Sequence, residues 1–309
     1  WGQSYRNQYR CADRNSRFTT PDHPDRSQNR SWTATVSKYS LPIALIFGPF
    51  DPTGSDGLPA DAVTCASLGV HALSVLTAVT TQDTADTESV VPCRAEQIDD
   101  QARCVLEDMS VQAIKVGAIS SAEAVSAVAQ VAADYSQVPL VLHLGAPAVD
   151  SEEPPEDDEA EDLVGATIEL LVPQAHVVVM EARRLAQWVA DDVIEVAGQT
   201  AAPQALQAIG ADWVLLTGSP QRPGHRVNVL VGPDSETITW PWVQPPDRVR
   251  DSGGIVATAL AALLAQGLSV PEAARAACAH ASLALEQSFA PGMGQRIAAR
   301  MPTLMPAKS

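Results

Sequence analysis

The sequence is short of positive charge, of paired cysteines and of long apolar runs, and each shortage removes a class of function. Twenty Lys and Arg stand against 37 Asp and Glu, giving a formal net charge of −17 at pH 7. The first 40 residues hold seven basic and three acidic side chains and are therefore +4, which leaves the remaining body at −21. So acidic a body argues against a nucleic-acid groove and reads as a solubilising surface. The five cysteines, Cys11, Cys65, Cys93, Cys104 and Cys278, are odd in number and include no CxxC pair. That usage favours a reducing, cytoplasmic setting over a disulfide framework and speaks against zinc. No apolar run approaches the roughly 18 to 20 residues that cross a bilayer. No continuous apolar segment opens the chain, so neither a membrane anchor nor a signal peptide is expected.

Residues 1–40 are polar, Arg-rich and aperiodic, and are expected to form a disordered basic tail. From residue 41 the pattern changes. Short β-rich runs such as "LPIALIFG", "LSVLTAV", "AIKVGAI", "PLVLHLG", "AHVVVM" and "DWVLLTG" alternate with helical stretches such as "LPADAVTCASLGVHA" and "SAEAVSAVAQVAADY". Such alternation predicts βαβ units and a mainly parallel sheet. "HRVNVLVG" and "ETITWPWV" read as an antiparallel pair at the sheet edge, and two helices, near 252–266 and 271–288, close the chain. Residues 41–309 thus read as one three-layer α/β domain with helices on both faces of the sheet. The segment 150–163, "DSEEPPEDDEAEDL", carries nine acidic residues and two prolines and is expected to be a solvated loop inserted into that domain.

The stretch "DRVRDSGGIVATALAALLA" at 247–265 predicts a turn feeding a long apolar helix. Ser252, Gly253 and Gly254 would present backbone amides at its positive end, a ready anion site. Asp251 places a negative charge in the same turn. It would repel a polyphosphate unless Arg250 pairs with it or it serves as a displaced base.

Residues 48–84, "GPFDPTGSDGLPADAVTCASLGVHALSVLTAVTTQDT", carry Asp51, Pro52, Thr53, Gly54, Gly57, Ala60, Asp61, Leu68, Gly69, Gln82 and Thr84. Together with "IKVGAI" (Lys115, Gly117) and "PGMGQ" (291–295), this resembles the hydroxymethylpyrimidine and hydroxymethylpyrimidine-phosphate kinases of thiamin synthesis, members of the ribokinase-like superfamily. The likeness spans about 42–302. It implies a ribokinase-like fold, ATP and Mg²⁺, a small pyrimidine substrate and a homodimer, with no nucleic acid and no membrane. It places Asp61 and Gln82 on the aminopyrimidine ring, and a carboxylate with a carboxamide can indeed read adjacent donors and acceptors on a planar heterocycle. Both are expected to face one pocket at the carboxyl edge of the sheet.

The phosphate side departs from the family pattern. His143 stands at an acidic position, Glu181 at an Asn position and Arg184 at a Glu position. An Arg cannot supply Mg²⁺ with oxygen, so no residue set is assigned to a metal. Thr217 replaces the Lys that meets nucleotide phosphate, and Gly254 replaces the Cys at the catalytic-base position. Asp251 and Gly254 therefore mark the catalytic turn, and Ser252, Gly253 and Gly254 the nucleotide's anion hole. The resemblance implies an ATP-dependent kinase weakened on its phosphate side. A pseudokinase that binds or senses a pyrimidine without turnover is the alternative, and a subunit keeping only the fold is a third. The ring itself is open between a pyrimidine and a pyridoxine-like molecule.

Overall fold

The first strand shows why the sheet lies at the centre of the molecule. Its apolar run alternates Ala44 and Ile46 toward one face with Leu45 and Phe47 toward the other, and all four are at most 1% exposed. A strand apolar on both faces needs a helical layer on each side. The computed structural model describes residues 40–145, 157–196, 202–244, 246 and 248–301.

The strands are β1 (Ile43–Phe50), β2 (His71–Gln82), β3 (Thr87–Pro92), β4 (Ala113–Val116), β5 (Leu140–Leu144), β6 (Val177–Glu181), β7 (Trp213–Arg222), β8 (His225–Val231) and β9 (Thr237–Pro241). They form one nine-stranded sheet in the order β3-β2-β1-β4-β5-β6-β7-β8-β9. The six strands β2, β1, β4, β5, β6 and β7 run parallel, and β3, β8 and β9 add antiparallel edges. The edge pair read from "HRVNVLVG" and "ETITWPWV" is β8 and β9, with Val229 opposite Thr239.

The helices are α1 (Gly57–Ser67), α2 (Ala95–Asp108), α3 (Ala122–Asp134), α4 (Asp157–Ala166), α5 (Ala182–Ala190), α6 (Ala202–Ile209), α7 (Ser252–Ala265) and α8 (Val270–Glu286). Ile98 of α2, Val125 of α3, Leu185 of α5 and Leu206 of α6 pack on the face that carries Leu45 and Phe47. Leu58 of α1, Leu260 of α7 and Ala274 of α8 pack on the face that carries Ala44 and Ile46. This is the expected three-layer arrangement. Helix α7 is buried without a break from Gly254 to Ala265, as a helix apolar all round must be. No helix among the described residues is long and apolar enough to cross a membrane.

The acidic segment needs a correction. It is helical from Asp157 onward, and α4 runs on into a π turn at Thr167–Leu171 and a 3₁₀ turn at Val172–Gln174. Leu163, Val164 and Ile168 then dock on the core, an apolar pattern that extends past the acidic window. Residues 150–156 and the tail up to residue 39 lie outside the described residues.

Candidate functional site

The strand order reverses around β1, whose two parallel neighbours are β2 and β4. Such a switch point leaves a crevice at the carboxyl ends of the strands. The turn after β1 fills one wall of it. Asp51, buried at 2% exposure, accepts from Thr53 N (2.7 Å), Ser55 N (3.1 Å), Ser55 Oγ (2.7 Å) and Asp56 N (2.9 Å). One carboxylate thereby organises the whole turn. Gly57 closes it at φ +61°, where a Cβ would overlap Pro49 O, so only glycine fits.

Asp56 caps α1, accepting from Gly57 N at 2.5 Å. Burial raises its pKa to about 7, Asp251 and Asp61 add to the rise, and Lys115 opposes it. The carboxyl is thus poised to titrate at neutral pH. Asp61, four residues further along α1's chain from the start of the helix, is 1% exposed. Its Oδ2 accepts from Lys115 Nζ at 2.7 Å and its Oδ1 from Thr258 Oγ1 at 2.5 Å. Burial opposes the Lys115 charge, but Asp61 and Asp251 outweigh it and hold the ammonium above its usual pKa.

Both oxygens of Asp61 accept hydrogen bonds inside the protein. A carboxylate on the buried face of α1 requires a cation, and β4 brings one from 54 residues away. Gln82 ends β2 half-buried, and its Oε1 accepts from Thr87 Oγ1 at 3.2 Å. The two motifs at Thr84 and 291–295 do meet. Thr84 Oγ1 accepts from Gly294 N at 3.2 Å and Thr84 O from Gln295 N at 2.6 Å.

The turn before α7 sits between this wall and a cleft. Asp251 adopts a left-handed conformation at φ 55° and caps the helix, its Oδ1 accepting from Gly254 N at 2.8 Å. One amide of the expected anion hole is therefore held by the protein's own carboxylate. Ser252 N and Gly253 N, in the first turn, have no intrahelical acceptor. Of the two conditions named for Asp251, a pairing cation is present. It is not Arg250 but Arg300, whose Nη2 reaches Asp251 Oδ2 at 2.7 Å and Ser55 O at 2.6 Å. Both members of the pair are at most 5% exposed. The short bridges Phe289–Ile297 and Val249–Arg296 carry the chain back to place Arg300 there.

His143, at the end of β5, lies against α7, and a Cβ on Gly253 would come within 2.7 Å of its Nε2. Burial and then Lys115 pull its pKa down to about 4, so the imidazole is neutral at pH 7. Arg184 is folded over Trp188, with its guanidinium 5.4 Å from the ring centroid.

On the other side of the α7 terminus a cleft opens between β7–β9 and α7–α8, holding about 570 Å³ of space continuous with solvent. Thr217 and Gly218 border it on β7, Asn228 on β8, Trp242 after β9, and Val256 and Ser282 on the helices. Glu181 and Ser252 meet at its mouth, Ser252 Oγ donating to Glu181 Oε1 at 3.4 Å, and Arg183 and Arg226 also line it. Among the described residues no group of three or more His, Cys, Asp or Glu could hold a metal ion. Sequence reading missed Asp56, which looks like an ordinary helix cap, and Arg300, whose role depends on a contact 49 residues away.

Comparison with known proteins places the chain in a family and a fold. The family model for phosphomethylpyrimidine kinase matches residues 51–298. A hydroxymethylpyrimidine/phosphomethylpyrimidine kinase of Streptomyces coelicolor is 31% identical over 272 residues, covering 85% of this chain and 95% of the relative. One from Mycobacterium leprae is 32% identical, covering 72% and 81%. The crystal structure of an ADP complex of Bacillus subtilis pyridoxal kinase shares the fold, with a TM-score of 0.71 at 22% identity, over 85% of this chain and 98% of that one.

Proposed function

The chain belongs to the phosphomethylpyrimidine kinase family, and from that premise we propose that it transfers the γ-phosphoryl group of ATP to a hydroxymethylpyrimidine or its phosphate. One observation carries the reading. The α7 terminus stands between a cleft bordered by guanidinium groups and the acidic β1–α1 turn that contains Asp56.

ATP lies in the cleft, with its phosphates against the Ser252 and Gly253 amides, where the helix end favours negative charge. The acceptor ring lies by the β1–α1 turn, with Gln82 reading its edge. Asp61 acts at one remove, by holding Lys115 charged beneath the site. Asp56 takes the proton of the acceptor hydroxyl. A base with a pKa near the working pH is the efficient choice, whereas Asp251 is engaged by Gly254 N and Arg300. The freed hydroxyl oxygen bonds to the γ-phosphorus as the bond to the bridging oxygen breaks, and ADP leaves with that electron pair. Among the described residues Glu181 is the one carboxylate bordering the cleft. It suits a Mg²⁺ that arrives on the nucleotide and keeps its waters, since such sites commonly use one or two carboxylates plus phosphate oxygens. That ion would neutralise phosphate charge.

Calorimetry with the hydroxymethylpyrimidine and with ATP–Mg²⁺, titrated separately, tests the reading. Binding of both supports the kinase. Ring binding without nucleotide binding favours a pseudokinase, and binding of neither overturns both.

A further inference from the structure

We propose that Arg183 and Arg226 form a two-armed clamp for the polyphosphate of the nucleotide, with Trp242 as the platform that sets Arg226. The proposal rests on the nucleotide reading of the cleft. It starts from charge. The protein is strongly acidic, with a net charge of −17, yet among the described residues this cleft is lined by two guanidiniums and one carboxylate. Glu181 is turned toward Ser252, and neither Arg183 nor Arg226 takes part in an ion pair among the described residues. Uncompensated cations in a concave site of an acidic body mark an anionic ligand.

The setting of each arginine fits this role. The Arg226 guanidinium lies 5.5 Å from the centroid of the Trp242 ring. That ring is seated over Gly218, where an added Cβ would come within 3.3 Å of it. Stacking pre-orders the planar fork while leaving its N–H edges free for a phosphate. Arg183 sits in the first turn of α5, where a cation opposes the helix dipole. Helix stability does not explain it there, but a phosphate at the cleft mouth does. Both side chains are exposed, so replacing them leaves the core intact.

The probes are inorganic tripolyphosphate, ATP and AMP, measured by calorimetry on the full chain at two salt concentrations. Wild type is expected to bind tripolyphosphate and ATP. Arg226→Ala weakens both by about 10- to 100-fold, the range for a charged hydrogen-bonding partner, and changes AMP by less than about 3-fold. Arg226→Lys, which keeps the charge and loses the fork, falls between, and Arg183→Ala lowers the salt dependence of ATP binding. Ala variants that bind tripolyphosphate and ATP as wild type does would overturn the clamp and leave the nucleotide reading standing. Arginine-dependent tripolyphosphate binding with no ATP binding would support the clamp and overturn the nucleotide reading. A wild-type protein that binds neither would overturn both.

Discussion

Replacing Arg300 with Met removes the guanidinium that bridges the β1–α1 turn and the α7 terminus. In the wild type Nη2 reaches Asp251 Oδ2 at 2.7 Å and Ser55 O at 2.6 Å, inside a site where the pair is at most 5% exposed. Removing one member of a buried pair leaves the other charge unpaired, which typically costs about 3–5 kcal/mol. Asp251 keeps its bond from Gly254 N, so the loss belongs at the lower end, about 3 kcal/mol. The double variant Asp251→Asn/Arg300→Met removes both charges while keeping a side chain able to cap α7. Neutral replacement of a whole buried pair is often close to harmless, so the double variant is expected to recover most of the loss. Urea unfolding at pH 7 of the wild type, both single variants and the double variant closes the cycle. A loss below about 1 kcal/mol in Arg300→Met, or a double variant no more stable than that single one, would refute the reasoning.

Two further outcomes follow from the same site. Because the pKa of Asp56 is about 7 in the folded protein against 3.8 for the free side chain, its stabilising share is full below about pH 4 and is lost as pH rises through 7. Linkage sets an upper limit of about 4 kcal/mol on that loss. Asp56→Asn, which preserves the cap on Gly57 N, is therefore expected to raise the melting temperature at pH 8 and leave it unchanged at pH 4. It should also cut turnover by about 10²-fold or more and remove the rise in rate with pH near 7; equal pH profiles for the two proteins would count against Asp56 as the base. Gly254→Cys places a Cβ on the Asp251 carboxylate, so it is expected to cost about 2–4 kcal/mol through overpacking and loss of the cap. An unchanged denaturation midpoint would show that the turn is looser than its contacts imply.

The sheet and its flanking helices were readable because burial writes itself into periodicity. The β1 run is apolar on both faces, and α7 is apolar all round. Strand β3 escaped because Thr87–Pro92 is an exposed edge ending in proline, with only Thr87 fully buried. Helix α4 was hidden because its apolar residues begin where the acidic run ends. The site was harder to read. Gln82, Asp61 and the α7 turn could be singled out by type and order. The pairings that give them their chemistry, Lys115 with Asp61 and Arg300 with Asp251, join residues 54 and 49 positions apart and leave no local trace. The same holds for Asp56, whose raised pKa comes from burial and from Asp251, nearly two hundred residues along the chain.

The most direct test is a ³¹P NMR time course of the full chain with ATP–Mg²⁺ and hydroxymethylpyrimidine at pH 7.5. Growth of a new phosphomonoester signal in step with ADP, dependent on the pyrimidine and much reduced in Asp56→Asn, is the expected result. An ATP spectrum that stays the same as that of a protein-free control would contradict the proposed phosphoryl transfer.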